Sequence, residues 1–403
     1  MVMSPIYSLI LLVLGSGFFM SFLSIHFKML NIGEFEIGLA QSAFYLGMLV
    51  SSLRSEKLIA RVGHIRALTA TCGLLSASTL GLFVIPVEMW GWLRLIAGAC
   101  VGCFYVGIES WLLAEYPEHK RGVALAIYTI SLYSSQAISQ SLLTIIHDES
   151  AMAITLSAIF ISLAVVPVSI GKANGPVTNV ADPESIFKFF KLSPLGVSGC
   201  LLAGMILSTL YSFMPLYFEA RNFEAGYLMT TMVFGGAILQ YPIGKISDHF
   251  ERRKVLILLG FLGASSAVLL LMIQSVALFY LGIFIAGGLL FTIYPVSMAL
   301  GCDCVAPKDI VKMTGVLLFA YGVGAVIGPL VTPLMKPFHD AYPIYMLCLY
   351  SVLLIVVGTY ALKFRKTIEP VDQSDFSMIP TGPIVEDLHP NLVNIQEEQI
   401  SRT

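Results

Sequence analysis

Charge is what this sequence has least of: Asp, Glu, Lys and Arg make up 12% of its 403 residues, against 57% hydrophobic. A soluble chain of that length needs far more polar surface than these residues can supply, so a soluble globular protein is excluded. The deficit is concentrated. Residues 67–87, 122–146, 192–218, 225–244, 313–335 and 341–362 contain no charged side chain at all. Each window meets the length of ~20 residues needed to cross a bilayer core. Residues 255–302 are also uncharged and about twice that length, so two helices fold back within them. The break is expected at Ile273-Gln274-Ser275, the most polar point of the run.

Other absences narrow the function. No basic tract is present, which excludes nucleic acid as a partner, and a net charge of −2 selects no partner by itself. The seven cysteines lie mostly inside apolar segments, where they act as small hydrophobes. Cys302-Asp303-Cys304 lacks zinc-site spacing and a second Cys/His pair, so no metal and no cofactor is expected. No nucleophile, base and metal cluster falls at membrane depth, which argues against an enzyme. The first apolar segment, Pro5 to Phe27, has no basic leader and is too long for a signal-peptide core, so it reads as an uncleaved first transmembrane helix.

What remains is an all-α integral membrane protein of twelve transmembrane helices, at about 5–27, 37–54, 66–86, 89–112, 122–145, 150–170, 193–217, 224–246, 253–273, 276–300, 313–335 and 340–363. With the N-terminus inside, the inner loops and tail hold nineteen Lys and Arg residues and the outer loops three. That asymmetry puts both termini in the cytoplasm. Two six-helix halves are expected, 1–171 and 192–366, joined by a cytoplasmic linker at 172–191. A proline-bearing acidic tail at 367–403 is expected to be disordered. The halves look duplicated: "IAGA" at 96–99 returns as "IAGG" at 285–288, an offset of 189, and the loops after the second and eighth segments align at 188.

Charge inside a span costs about 2.5–3.5 kcal/mol at the bilayer centre and so marks functional candidates, and two such residues stand out, both on the fourth segment. Arg94 lies in the outer third of the fourth segment, where it is read as an internal cation for a substrate anion or a neighbouring carboxyl. Glu109 lies near the inner end, where it is read as a carboxyl that takes up a proton during a transport cycle. Fifteen residues separate them, about 22 Å along a helix, so they do not pair directly. The offset of 189 places Ile283 opposite Arg94, so the charge is not symmetric. Candidates for a mid-membrane solute cavity are Gln41, Tyr45, Tyr105, Tyr133, Gln136, Tyr211, Gln240, Tyr294 and Tyr321. As a set they describe a neutral, aromatic site with one cation at its edge. Gly324, Gly328 and Pro329 are expected to let the eleventh segment pack closely and bend.

The motifs carry a resemblance. "GKISDHFERRK", with Gly244, Asp248, Arg252 and Arg253, resembles the loop signature of the major facilitator superfamily, though His249 and Glu251 stand where Arg and Gly are usual. The first-half copy, "EKLIARVGHIR", keeps Arg61, Gly63 and Arg66 but has Glu56 for Gly and Ala60 for Asp. "RLIAGACVG" is similar to the family's helix-four signature, and "GAVIGP" to its Gly-x-x-x-Gly-Pro element, here in helix eleven; helix five lacks that element. "GIES", "LYSFMPLYF" and "FTIYPVSMA" most resemble the YcaD-like bacterial permeases, over about residues 1–365. The resemblance implies alternating-access transport in the cytoplasmic membrane and makes Asp248 an acidic latch near the cytoplasmic start of a helix in the opposite half.

The function expected is therefore secondary active transport of a small organic solute, amphipathic or weakly anionic, coupled to protons and carried out by a monomer within the lipid bilayer. A transporter-derived sensor or scaffold, with the acidic tail as its output, is the alternative reading.

Overall fold

The computed structural model describes residues 3–116, 121–146, 150–170, 190–306 and 309–364. The tail at 367–403 lies outside them, as does the linker except for its last residues, 190 and 191. In the first half the helices are α1 (Ser4–Met29), α2 (Glu34–Ser52), α3 (Ser55–Val62), α4 (His64–Leu80), α5 (Trp90–Glu115), α6 (Arg121–Ile145), α7 (Ser150–Leu163) and α8 (Val165–Ile170). The second half has α9 (Pro194–Ala220), α10 (Ala225–His249), α11 (Arg252–Met272), α12 (Val276–Asp303), α13 (Ile310–Val331) and α14 (Tyr342–Phe364). With α7 and α8 counted as one interrupted span and α3 as a connector, these are the twelve spans. The long uncharged run does break between Met272 and Val276.

Local chemistry explains the departures from the expected segments. Pro167 has no amide hydrogen and its ring crowds the carbonyl of residue 163, so the sixth span is interrupted at Ala164. Ser8 Oγ of α1 donates to the Ala164 carbonyl at 2.5 Å, which ties the break to α1. The first charged loop contains a helix of its own, α3, which the sequence reading took as loop. It ends on Gly63, whose φ of +87° an L side chain rarely adopts; with nothing near a would-be Cβ there, glycine is needed for conformation and not for space. Its second-half counterpart is not a loop either: α10 runs on to His249, and only Phe250 and Glu251 separate it from α11.

Among the described residues, nine spans are long and apolar enough to cross a membrane by length and hydropathy alone. The other three spans, α2, α6 and α10, carry more hydroxyl, amide and small residues. Many of those groups are covered by protein: Gln41, Ser139, Gln140 and Gln240 are all buried. Helices whose polar groups are satisfied by neighbouring protein can cross with a lower hydropathy.

The described chain forms two compact units. One contains the first-half helices together with Tyr211–Thr230, so the end of α9 and the start of α10 pack with the first half. In it α1 packs on α6 and α7, and α5 packs on α2 and α4. The other unit contains the start of α9, the rest of α10 and all of α11 to α14. There α11 packs on α12 and α14.

Glycine sets the closest approaches, and one such contact occurs in both units. In the first unit a Cβ on Gly47 would overlap the Leu95 carbonyl of α5, and one on Gly98 would overlap the Phe44 carbonyl of α2. In the second unit Gly235 meets the Phe284 carbonyl and Gly287 the Met232 carbonyl in the same way. Gly47 and Gly235 are 188 apart, Gly98 and Gly287 are 189 apart, and the contacted residues obey the same offsets. The two halves repeat one backbone contact, as the short sequence matches suggested.

Gly98→Leu is expected to destabilise the protein by about 1–3 kcal/mol, the usual cost of overpacking, and Gly287→Leu to do the same. Gly73→Ala and Gly91→Ala, where a Cβ meets nothing within 4 Å, are expected to leave the melting temperature in detergent unchanged. Equal melting temperatures for all four would overturn the claim that these backbone contacts are tight.

Candidate functional site

The close approach of α2 and α5 at Gly98 determines the environment of Arg94, one turn earlier on α5. Arg94 is 4% exposed. Its Nη2 donates to Gln41 Oε1 at 3.0 Å and lies 2.6 Å from the Met20 sulfur of α1. The guanidinium carbon sits 4.2 Å from the centroid of the Phe44 ring, a cation–π geometry that strengthens when water is excluded. Tyr45 lies within electrostatic range and packs edge-on against Phe44, with ring centroids 5.6 Å apart. No carboxylate lies within ion-pair distance of Arg94 among the described residues, and its Nε has no hydrogen-bond partner there. All its observed contacts are neutral.

Gln41 is held in place from the other side. Its Nε2 donates to the Met20 carbonyl at 3.1 Å and to Ser24 Oγ at 2.7 Å, both on α1. With its nitrogen occupied in this way, its oxygen faces Arg94. Gln41 is fully buried and ties α1, α2 and α5 together. Met20, Ser24 and Phe44 were not singled out from sequence, because apolar or hydroxyl residues on an apolar helix carry no signal until a neighbour gives them one.

Glu109 is also fully buried, about four turns after Arg94 on α5. Tyr128 of α6 is in electrostatic range of both Glu109 and Tyr105, which lies one turn before Glu109. The next residue, Ser110, contacts His64 Nε2 at 2.9 Å, and His64 is the first residue of α4. A carboxyl, two phenols, a hydroxyl and an imidazole therefore lie along the C-terminal half of α5 and its neighbours. Tyr128 and His64 were missed because neither lies on the helix that carries the acid.

The remaining cavity candidates separate between the two units. In the second, Tyr294 and Tyr321 lie tilted against one another at 55° with centroids 4.6 Å apart, and Gln240 is fully buried. In the first, Tyr133 is buried, while Gln136 and Tyr211 are half-buried. Gly324 meets the Leu201 carbonyl of α9, and Gly328 would place a Cβ 2.6 Å from the Met205 carbonyl, so this pair is a close α9–α13 contact just before Pro329.

Helix α6 lacks the Gly-Pro element, and its polar residues act on α1 instead. Ser139 Oγ accepts from the Phe18 amide at 2.6 Å and donates to the Leu14 carbonyl at 2.9 Å. Those two groups are the partners of one turn of α1, so a hydroxyl is inserted into that helix's own hydrogen-bond ladder, a recognised cause of bending. Gln140 Nε2 donates to the Gly17 carbonyl at 2.9 Å, and Ser21 Oγ donates to Gln140 Oε1 at 2.9 Å.

In the charged stretch between α10 and α11, Arg252 is fully buried at the start of α11. Its Nη2 donates to Asp248 Oδ1 at 3.0 Å, and its Nη1 donates to Asp303, the last residue of α12. Arg253 pairs with Glu251 at 2.7 Å and donates to the Ala361 carbonyl of α14 at 3.3 Å. These contacts brace α10, α11, α12 and α14 to one another. Asp303 was set aside in the sequence as part of Cys302-Asp303-Cys304; its role as a counter-ion was visible only in the requirement that a buried Arg252 have one. In the first half Arg61 is exposed and Gly63 is the turn already described.

Comparison with known proteins agrees with this architecture. Residues 6–224 and 218–384 each match the Major Facilitator Superfamily. The chain is 30% identical over 367 residues to the uncharacterized MFS-type transporter YcaD of Salmonella enteritidis PT4, covering 88% of this chain and 94% of that one. The YcaD protein of Salmonella typhi matches to the same extent. Among solved structures, the nucleoside transporter NupG superposes with a TM-score of 0.77 at 14% identity, covering 90% of this chain and 99% of that one. A D-xylose–proton symporter superposes with a TM-score of 0.68 at 14% identity, covering 92% and 98%. The chain is a multi-pass membrane protein with a transporter's fold, and it belongs to the major facilitator superfamily.

Proposed function

We propose that this protein is a proton-coupled secondary transporter that moves a small, weakly anionic or amphipathic organic solute across the cytoplasmic membrane by alternating access. The observation that carries the reading is Arg94, a buried cation whose contacts among the described residues are Met20, Gln41 and Phe44, none of them an acid. Holding a guanidinium inside a span without a counter-ion is costly, and an incoming carboxylate or phosphate lowers that cost. Phe44 and Tyr45 supply an apolar aromatic wall beside it. The nucleoside and xylose carriers share the fold at 14% identity and do not name the solute.

Proton coupling is assigned to Glu109, buried in a span beside Tyr128 and Tyr105. A carboxyl taken out of water favours its neutral form, so proton uptake and release there can be tied to the change of state. Both termini are placed in the cytoplasm by the excess of Lys and Arg in the inner loops. Asp248 is assigned to the inner gate through its hold on Arg252, and the working unit is the monomer.

Three experiments test these assignments. Gln41→Glu gives Arg94 a built-in counter-ion. In thermal-shift screens against a metabolite panel it is expected to abolish stabilisation by carboxylate compounds, as Arg94→Gln also should; retained stabilisation in both would remove Arg94 from the solute site. In proteoliposomes Glu109→Gln is expected to abolish pH-gradient-driven uptake yet allow solute exchange, and unchanged gradient-driven uptake would refute the coupling assignment. Asp248→Asn is expected to raise the cytoplasmic accessibility of cysteines placed in the transport pathway; unaltered accessibility would count against the latch.

A further inference from the structure

The two charged stretches stand at the same place in the repeat, with Ala60 falling 188 residues before Asp248, yet their cations are treated differently. In the second copy every Lys and Arg has an acid: Lys245 and Arg252 reach Asp248, Arg252 also reaches Asp303, and Arg253 and Lys254 reach Glu251. In the first copy that acid is gone. Arg54, Lys57, Arg61 and Arg66 are exposed there and make no ion pair among the described residues. Helix α3 arranges them. It packs on α5 and α4, and its buried side is Ser55 and Ile59. Ile59 Cδ1 would lie 3.5 Å from a Cβ on Gly107 of α5. At about 100° per residue, Arg54, Lys57 and Arg61 form one stripe on the far side of the helix from Ser55 and Ile59. Leu58 borders that stripe and Leu53 precedes it, and they are 45% and 60% exposed. The one acid of the helix, Glu56, is half-buried and lies off the stripe.

We propose that α3 is a lipid-binding helix whose basic stripe holds the phosphate groups of anionic phospholipids in the inner leaflet. The proposal goes beyond the transport reading and rests only on the charge-based orientation, which puts the connection between α2 and α4 on the cytoplasmic side. The occupant follows from the position and chemistry of the surface. Because α2 ends at Ser52 and α4 begins at His64, α3 is tied at both ends to spans and stays at the bilayer surface. Anionic headgroups make that surface negative, and clustered Lys and Arg are drawn to it. The planar guanidinium groups of Arg54 and Arg61 suit two-point contact with phosphate oxygens. A soluble anion would leave Leu53 and Leu58 in water, whereas at the headgroup boundary they reach acyl chains. The membrane thus supplies the counter-charge that the first copy lacks. Gly107, against Ile59, lies two residues before Glu109, and Gly63 at the end of α3 leads into His64, the partner of Ser110. Lipid on α3 therefore bears on the stretch of α5 that carries Glu109.

The test measures lipid binding and needs no solute. The full-length protein in detergent is titrated with phosphatidylglycerol and with zwitterionic phosphatidylcholine, and bound lipid is counted by native mass spectrometry. Arg54→Gln/Lys57→Gln/Arg61→Gln is expected to lose phosphatidylglycerol affinity severalfold and to bind phosphatidylcholine as before. Lys28→Gln/Lys336→Gln, which removes two cations of the outer loops instead, is expected to bind both lipids as the parent does. Equal phosphatidylglycerol affinity in the parent and the triple variant would overturn the proposal. If the triple variant fails to fold, a bimane label on Leu58→Cys decides. Its emission, corrected for the parent chain treated alike, should shift to the blue in phosphatidylglycerol nanodiscs relative to phosphatidylcholine ones, and identical emission in the two would overturn the proposal. The competing occupant is the acidic segment 367–403 of the chain itself. Carbodiimide crosslinks from Lys57 to that segment should be absent in phosphatidylglycerol nanodiscs; crosslinks that persist there would give the stripe to the chain and overturn the lipid assignment.

Discussion

The backbone contact between α2 and α5 at Gly98 is the constraint on which the first bundle depends. Because glycine lets the Phe44 carbonyl touch the α5 backbone, the preceding turn of α5 brings Arg94 over the Phe44 ring and within hydrogen-bond distance of Gln41. A larger residue at 98 would separate the helices and leave the guanidinium in a gap. The same contact recurs at Gly287 and Met232, where Ile283 stands in place of Arg94 and is fully buried. A duplicated scaffold has thus kept its packing and confined the internal cation to one copy.

Polar groups in a bilayer must find partners within the protein, and the two units meet this demand differently. The second unit pairs opposite charges: Arg252 with Asp248 and Asp303, and Arg253 with Glu251. Buried pairs of this kind are rigid, because removing one partner strands the other. The contacts described inside the first unit's spans are between neutral groups, or between a neutral group and Arg94. Ser139 and Gln140 hold the backbone of α1, Gln41 holds Arg94, and Ser110 holds His64. Neutral hydrogen bonds between small groups exchange at lower cost than buried ion pairs, so the braced helices of the second unit and the hydroxyl-laced helices of the first differ in how readily they can rearrange.

Much of this was legible in the sequence, for identifiable reasons. Hydropathy marks a span because the bilayer tests every residue along it, and so even the break at 273–275 could be read. Duplication was legible because the matching "IAGA" and "IAGG" hold the contact glycines Gly98 and Gly287 at an offset of 189, and the charged loops aligned at 188. Arg94 and Glu109 stood out as charges at membrane depth. The helix α3 was not legible, since eight residues between two spans leave too short a pattern. Nor was Asp303, which lies 51 residues from Arg252 in the chain and acquires its meaning only where α11 and α12 meet.

The sequence by itself determined the class, the number of spans, the two related halves and the positions of the rare charges, because each of these follows from composition measured against a bilayer of fixed thickness. Only the tertiary structure decided which neutral groups surround each charge, that Ser139 enters the ladder of α1, and that the first turns of α10 seat against α6. Those facts depend on pairs of residues far apart in the chain, and a one-dimensional pattern holds no record of which small residue will face which.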